Sequence, residues 1–528
     1  MMAENPWERC LAPLFQMTQK WLQACADEPQ AFWGAAGDWW QGQMQLWNQS
    51  MESLGQGDFQ AGFGQYLGQS HQLLQQYWLR GIEALEGLDE TEKRQFAFWV
   101  RQYLQLWDPQ HQAWANPKVM ERTLKEDGQN LLRGFEKLCS DLRDSPLGLN
   151  VPLGDLGAFE LGRDLASTQG QVVRETPLFQ LIQYAPSTEQ VRQTPILMVP
   201  PCINKYYVLD LRPENSFIRH LVDAGFTVYL MSWVNPDSAL RDKGMEDYVL
   251  SVVEASGWVR DLAGSKQLHG VGYCVGGTLL AMAAAWQAAR GTKRLASLSL
   301  MTTLLDFSDP GEPGMLLSPA LIDGLLEVVD SHGLMDGRMM ALGFSLLREK
   351  ELYWPAYVQQ YLLGEKPPAF DLLAWNSDAT HLPARFYRDY LGGTYRDNLL
   401  AEPGAWRLGG QRLDLSRIKV PAYVLATEKD HIVPWHGAMD SARLLGSSSV
   451  RRVLSSSGHV AGVINPPARQ KYGYRILDEN LAATDKQDGS WWPDWYQWLA
   501  ALDSKLVPAR PLPPGIEPAP GRYVRKRP

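Results

Sequence analysis

The sequence is poor in cysteine and contains no long apolar run. Five cysteines are spread over 528 residues without a CxxC pair, which argues against a disulfide framework and against a structural zinc site. The first residues lack the basic and apolar regions of a secretory signal, and no run of about 18 apolar residues follows. We therefore expect a cytoplasmic protein without a transmembrane segment, in which a cysteine is available for chemistry.

The chain also lacks an excess of positive charge. Its formal net charge is −9, whereas a protein that binds a nucleic-acid backbone needs a basic face, so we expect no nucleic acid among its partners. Hydrophobic residues make up 45% of the sequence and aromatic residues 11%, values that exclude a disordered chain. Because 528 residues exceed one ordinary domain, we expect a large catalytic domain and an accessory region.

Tryptophan and glutamine are concentrated near the N-terminus. Ten of the 21 tryptophans and twenty glutamines precede residue 115, and apolar residues recur there at the three- or four-residue steps of an amphipathic helix. Residues 1–170 are therefore predicted to form a helical region, with Asn116-Pro117 as the cap and first turn of one helix. Its aromatic residues either pack inward or form a face for a partner or an apolar surface. The repeating set that suggests such a face is Trp39, Trp40, Met44, Trp47 and Met51.

From about residue 172 the pattern changes to short apolar runs separated by segments of helical length. Apolar runs of this kind are typical of parallel strands that are covered by helices on both faces. The sequence therefore predicts an α/β catalytic domain over residues 171–528. The runs that we assign as strands are 195–200, 226–232, 268–273, 296–303, 421–427 and 451–455.

Two segments of this domain depart from the alternation of strands and helices. Between about residues 305 and 395, helical and aromatic segments replace it, and a stretch this long between two strands should be folded. We interpret it as an inserted cap that covers the active site. The tail, residues 507–528, contains seven prolines, which favour an extended arm rather than a folded element.

A strand, a glycine-flanked turn and an alanine-rich helix follow one another over residues 268–290. The turn, Gly272-Tyr-Cys-Val-Gly276, has the spacing of the nucleophile elbow G-x-S-x-G, with Cys274 at the serine position. Small residues are needed there because the nucleophile occupies a strained turn where strand and helix approach closely. The N-terminus of the following helix favours a thiolate.

The turn allows two other interpretations. Its glycines imitate a dinucleotide-binding turn, but no acidic residue between residues 275 and 305 is present to bind a ribose. A buried, inert cysteine is the second alternative. Both are disfavoured because the remaining members of a catalytic triad follow in the expected order.

The candidate acid and histidine lie just after two of the predicted strands. Asp430 follows the strand at 421–427, and His459 follows the strand at 451–455. With Cys274 they reproduce the chain order nucleophile, acid, histidine at strand ends, which is more specific than any one motif. His431 and His436 could suggest metal ligands, but no further ligand is near and no metal is expected. We interpret His431 as a neighbour of the triad acid.

These residues and the motifs around them resemble the polyhydroxyalkanoate synthases, specifically the class I, single-subunit type. The similarity covers about residues 115–528. The motifs that carry it are Val199-Pro-Pro-Cys-Ile-Asn-Lys-Tyr-Tyr207, Asp210-Leu-Arg-Pro-Glu-Asn-Ser216, Ser232-Trp-Val-Asn-Pro-Asp237, Gly272-Tyr-Cys-Val-Gly-Gly277, Thr302-Thr-Leu-Leu-Asp-Phe-Ser308, Trp375-Asn-Ser-Asp378, Asp430-His-Ile-Val-Pro-Trp435, Gly458-His-Val-Ala-Gly-Val-Ile-Asn-Pro-Pro467 and Gly489-Ser-Trp-Trp-Pro493.

The resemblance implies an α/β-hydrolase core with a mobile cap, and it assigns the same triad of Cys274, Asp430 and His459. It implies an oxyanion hole made by the backbone N–H groups of Val275 and Ile203.

Other residues receive roles only through the resemblance. Asn204 is expected with His431 in the substrate pocket or around the triad, and Ala461 lies where the family tunes pocket width. Trp375 is implied at a dimer contact, although a plain core tryptophan is an alternative.

The implied reaction joins (R)-3-hydroxyacyl-CoA units, by preference (R)-3-hydroxybutyryl-CoA, into a polyester through a thioester on Cys274. CoA is released as the leaving group, so no cofactor is expected. The resemblance also implies a homodimer, a location at the surface of polyester granules, and association with phasins. A hydrolase of the same fold and a non-catalytic granule scaffold are the competing functions.

Overall fold

The computed structural model describes residues 6–54, 59–145 and 148–527. Residues 1–5 and Pro528, which belong to the predicted N-terminal region and tail, lie outside the described residues. The chain divides into two compact units. The first comprises residues 1–153, 323–325 and 341–368, and the second comprises residues 154–322, 326–340 and 369–528.

The helices of the described residues are numbered here in chain order. They are α1 (Pro6–Asp27), α2 (Trp33–Leu54), α3 (Phe59–Glu83), α4 (Glu90–Leu106), α5 (Pro117–Lys125), α6 (Gln129–Asp144), α7 (Phe217–Asp223), α8 (Met245–Ala263), α9 (Val275–Ala289), α10 (Gly311–Leu316), α11 (Pro319–His332), α12 (Gly337–Leu347), α13 (Trp354–Tyr357), α14 (Asp371–Asn376), α15 (Ala384–Leu391), α16 (Trp435–Ser441) and α17 (Trp492–Leu502).

The first unit is helical and has its own aromatic core. Trp21 and Phe96 stack with ring centroids 4.9 Å apart, and Phe32 is buried beside them. Helix α5 starts as predicted, since the Asn116 side chain accepts hydrogen bonds from the N–H groups of its first turn and Pro117 occupies the first position. The aromatic residues of this unit therefore do pack inward in part.

Other aromatic residues of the first unit are exposed to solvent. On α2, Trp40 and Trp47 are 62% and 56% exposed, and Met44 and Met51 lie on the same side of the helix. Both interpretations of the N-terminal pattern are thus represented in the structure, by different residues. We call these four residues the α2 apolar face.

The strands are also numbered in chain order. They are β1 (Gly170–Glu175), β2 (Phe179–Tyr184), β3 (Gln190–Arg192), β4 (Ile196–Val199), β5 (Val228–Trp233), β6 (Leu268–Tyr273), β7 (Leu295–Met301), β8 (Leu334–Met335), β9 (Leu382–Pro383), β10 (Arg407–Leu408), β11 (Gln411–Arg412), β12 (Ala422–Thr427), β13 (Val450–Ser455), β14 (Gly473–Leu477), β15 (Gln487–Asp488), β16 (Leu506–Pro508) and β17 (Glu517–Pro518).

The second unit contains a sheet whose centre is parallel. Its strand order is β15-β14-β13-β12-β7-β6-β4-β5-β2-β1-β17, and the pairs from β5 to β13 are parallel. These six central strands are the six predicted from the sequence. Antiparallel strands extend the sheet at both edges. Since the carboxyl ends of parallel strands meet at one edge, the turns after β4, β6, β12 and β13 come together there.

The segment between β7 and β12 contains helices α10 to α15. Residues 341–368 of this segment belong to the first unit, where Asn130 of α6 donates a hydrogen bond to the carbonyl of Leu362 at 2.8 Å. The rest of the segment belongs to the second unit.

The C-terminal tail has little regular structure, and two short strands in it pair with strands of the second unit. Strand β16 forms a two-stranded sheet with β3, and β17 pairs with β1 at one edge of the 11-stranded sheet. Proline is tolerated there because edge strands do not need every N–H group. Within the described residues, no helix combines the length and the apolar character needed to cross a bilayer.

Candidate active site

The candidate nucleophile lies in a sharp turn between β6 and α9. Cys274 has φ of +53° and ψ of −128°, a strained conformation for a residue with a side chain. It directly precedes the first residue of α9, so its thiol lies at the N-terminus of that helix. This geometry is that of a nucleophile elbow.

Two glycines make the turn sterically feasible. A Cβ on Gly272 would lie 2.4 Å from the Cα of Gly277, and a Cβ on Gly276 would lie 2.1 Å from the carbonyl oxygen of Val199. The first turn of α9 therefore presses against both its own strand and the end of β4. Side chains at these positions would push the helix away and displace Cys274.

Asp430 is held in the turn after β12 by four hydrogen bonds. Its Oδ2 accepts from Nδ1 of His459 at 2.7 Å and from the Thr427 hydroxyl at 3.0 Å. Its Oδ1 accepts from the N–H groups of Ile432 and Val433 at 3.0 and 2.9 Å. Because every bond is donated to the carboxylate, the ionised form is favoured although the side chain is fully buried.

The charges of Asp430 and His459 support each other. Burial raises the pKa of Asp430, but His459 and the two backbone N–H groups outweigh it and leave that pKa below its ordinary value. Burial lowers the pKa of His459, but the Asp430 carboxylate and a hydrogen bond with Cys274 outweigh it and raise that pKa well above the usual range. The site therefore stabilises an imidazolium between the carboxylate and the cysteine sulfur.

Tyr273, the residue before Cys274, fixes the histidine. Its ring stacks on His459 with centroids 5.7 Å apart, and its hydroxyl donates to the His459 carbonyl at 3.4 Å. Sequence reasoning missed this residue, as it missed Thr427, because neither contact is local in the chain. The only sequence signals were their positions next to Cys274 and at the end of β12.

The two expected oxyanion donors lie on the segments that adjoin Cys274. Val275 is the first residue of α9, where N–H groups have no partner within the helix. Ile203 follows β4, the parallel neighbour of β6. Cys202 beside it interacts electrostatically with Cys274, so this loop lies at the nucleophile.

The remaining predicted residues occupy the surroundings of the site. Asn204 is half-buried and forms a bridge with Ala379, while His431 is half-buried in the turn that holds Asp430. Ala461 is half-buried two residues after His459. Burial raises the pKa of the Cys202 thiol, so this second cysteine is kept protonated rather than activated.

Comparison with known proteins identifies two matching family models and several relatives. A family model described as the poly-beta-hydroxybutyrate polymerase N-terminus matches residues 59–221, and the alpha/beta hydrolase fold model matches residues 195–466. The poly(3-hydroxyalkanoate) polymerase of Methylorubrum extorquens is 41% identical over 473 residues, which are 87% of this chain and 78% of that protein.

Two further relatives are similar to the same extent. The poly(3-hydroxyalkanoate) polymerase subunit PhaC of Rhizobium meliloti is 39% identical over 88% of this chain and 78% of its own length. Its counterpart of the same name in Cupriavidus necator is 40% identical over 84% and 78%. The chain belongs to the poly(3-hydroxyalkanoate) polymerase family. It is therefore an enzyme, an acyltransferase with an α/β-hydrolase fold, and the predicted family and fold class are confirmed.

Replacing Asp430 tests the charge arrangement of the site. Asp430→Asn keeps the shape but removes the carboxylate that raises the pKa of His459, so less imidazolium faces the sulfur at neutral pH. We expect alkylation of Cys274 by iodoacetamide at pH 7 to slow at least about tenfold and to recover as the pH rises. Turnover should fall by about 10⁴-fold, as for triads that lose their acid.

The matched control is Asp440→Asn, which removes a partly exposed aspartate of α16 that pairs with Arg443. Iodoacetamide should alkylate Cys274 of this variant at the wild-type rate. If Cys274 of Asp430→Asn were alkylated at the wild-type rate at pH 7, this would contradict the proposed role of the carboxylate.

Proposed function

We propose that the chain polymerises (R)-3-hydroxyacyl-CoA, by preference (R)-3-hydroxybutyryl-CoA, through a thioester on Cys274. The observation that carries this proposal is the buried hydrogen bond between Asp430 and His459, together with the interaction of His459 with Cys274 at the N-terminus of α9. Membership of the polymerase family supports the polymer as product. No separate cofactor takes part, since CoA leaves with the substrate's own sulfur.

Acylation begins with the thiolate of Cys274, which His459 stabilises as its imidazolium. The sulfur attacks the thioester carbonyl, and the backbone N–H groups of Val275 and Ile203 bind the oxyanion that forms. The carbon–sulfur bond to CoA then breaks, and the CoA thiolate takes the proton of His459. The acyl group is now a thioester on Cys274, and it keeps the transfer potential that a serine ester would lose.

Chain growth uses the same groups in the opposite protonation state. Acylation removes the negative charge of Cys274, one of the causes that raise the pKa of His459, so the imidazole becomes able to act as a base. It takes the proton of a 3-hydroxyl group whose oxygen attacks the Cys274 thioester. An ester bond forms, Cys274 leaves as a thiolate, and the proton on His459 restores the starting pair.

Three residues are proposed to shape the substrate pocket. Asn204 lies in the loop after β4, His431 in the turn that holds Asp430, and Ala461 just after His459. All three are half-buried on segments that carry a proposed catalytic group. Ala461 is proposed to set the width of the acyl pocket and thereby the chain length that is accepted.

The proposed function is tested by CoA release from (R)-3-hydroxybutyryl-CoA and by extraction of the product. Wild-type protein should release CoA and form a solvent-extractable polyester, and Cys274→Ala should do neither. Cys139→Ser, at a half-buried cysteine of the first unit, should behave as the wild type. Release of CoA with only soluble hydroxybutyrate would indicate a hydrolase, and absence of release would favour the scaffold function.

We further propose that the enzyme works at the granule surface as a homodimer and associates there with phasins. Large apolar side chains exposed on the α2 apolar face support a contact with an apolar polymer, because exposed tryptophans are costly unless a surface covers them. The homodimer and the phasin association rest on the family resemblance. Sedimentation velocity with and without substrate measures the oligomeric state.

Charge placed on the α2 apolar face tests the granule contact. The double variant Trp40→Asp and Trp47→Asp should lower the fraction that co-sediments with protein-free polyhydroxybutyrate particles by about tenfold or more, since burying a charge is unfavourable. Gln41→Asp with Gln45→Asp adds the same charge at exposed polar positions of α2 and should bind as the wild type. Equal binding of both double variants would contradict the proposed surface.

A further inference from the structure

Lys205 is a buried lysine directly beyond the loop that carries the proposed oxyanion donor Ile203. Its side chain is only 3% exposed. Burial lowers the pKa of Lys205 to about 8, against the attraction of the Asp378 carboxylate, so the ammonium form still predominates at pH 7. A buried charge is expensive unless it is paired and hydrogen-bonded, and the reaction steps described above make no use of this one.

The ammonium group is bonded to the C-terminal tail. Lys205 Nζ donates to the backbone carbonyl of Lys526. The tail is in turn fixed to the core, since Lys526 Nζ pairs with Asp237 at 2.8 Å and the Tyr523 hydroxyl donates to the Thr176 carbonyl at 2.7 Å. Lys205 therefore ties the loop after β4 to a segment that is itself anchored after β1 and β5.

The backbone of Lys205 is held from another side. Nε1 of Trp375 donates to the Lys205 carbonyl at 2.7 Å, and Trp375 itself is buried within this chain. Asp378, three residues further on, accepts from the Tyr207 hydroxyl at 2.9 Å and faces the Lys205 ammonium. Both the main chain and the side chain of Lys205 are thus fixed by groups far away in sequence.

These contacts connect segments that contain no residue of the triad. The Trp375-Asn-Ser-Asp378 segment and the last residues of the tail both contact Lys205, and Asp237 holds the tail through Lys526. An oxyanion hole depends on donors placed to within a fraction of an ångström, and a loop without regular structure needs such outside support.

We propose that Lys205 is a positioning residue that holds the loop of Ile203 against Cys274, with the C-terminal tail as its anchor. This inference rests on the proposed function, because Ile203 matters only if a thioester carbonyl is attacked. Lys205 itself touches no reacting atom. Its loss should weaken the oxyanion hole and leave the nucleophile intact.

Two rates measured on the same protein separate these effects. CoA release from (R)-3-hydroxybutyryl-CoA needs the oxyanion hole, whereas alkylation of Cys274 by iodoacetamide forms no oxyanion. Lys205→Met keeps the length of the side chain and removes its charge. We expect kcat for CoA release to fall about 100-fold, the typical loss of one oxyanion donor, with KM and the alkylation rate within about threefold of wild type.

The matched control is Lys266→Met, which makes the same substitution at an exposed lysine of the same unit. It should leave both rates unchanged. A second variant, Trp375→Phe, keeps a ring but loses the N–H that holds the Lys205 carbonyl, and it should show the same pattern more weakly. If Lys205→Met does not fold, the rates of CoA release and of Cys274 alkylation measured on Trp375→Phe test the inference instead.

Two results would overturn the inference. The first is a kcat for Lys205→Met within about threefold of wild type. The second is a parallel fall of CoA release and alkylation, which would show general damage to the site rather than loss of positioning. Absence of CoA release from the wild type would instead contradict the proposed function, and the inference with it.

Discussion

The site depends on the close approach of the first turn of α9 to the end of β4. No side chain fits between Gly276 and the carbonyl of Val199, so backbone meets backbone. This contact places the thiol of Cys274 at the helix N-terminus and brings the loop after β4 next to it. A strained nucleophile and the neighbouring oxyanion loop are therefore consequences of one steric constraint.

The buried charges are organised around this turn. Asp430 is fully bonded and sits behind His459, whose raised pKa depends on both the carboxylate and the cysteine. In the proposed mechanism, acylation removes the charge of the sulfur, and the pKa of His459 falls as a result. In that proposed mechanism the same imidazole protonates the leaving CoA and later accepts the proton of a hydroxyl group.

Much of the centre of the fold could be predicted from the sequence. The six parallel strands are short apolar runs, so their pattern was sufficient to predict them, and the predicted site residues Cys274, Asp430 and His459 follow three of these strands. The geometry adds contacts that no local pattern contains, such as the Tyr273 ring on His459. Tyr273 and His459 are 186 residues apart in the chain.

The edges of the sheet were harder to predict for a physical reason. Strand β2 buries two polar side chains, Gln180 and Gln183, which breaks the apolar pattern of a core strand. Both are satisfied by the tail, since Gln180 donates to Glu517 at 2.5 Å and Gln183 donates to the Pro511 carbonyl at 3.4 Å. The prolines of the tail suggested an arm. Its pairing could not be predicted from the tail itself, because its partners lie more than 300 residues earlier in the chain.

The central claim is that the growing acyl group is attached to Cys274. The most direct test is to mix the protein with (R)-3-hydroxybutyryl-CoA, quench with acid within a fraction of a turnover, and map acylated peptides by mass spectrometry. The account predicts a 3-hydroxybutyryl thioester on the peptide that contains Cys274. CoA release with the acyl group on another residue, or on no residue at any time, would contradict it.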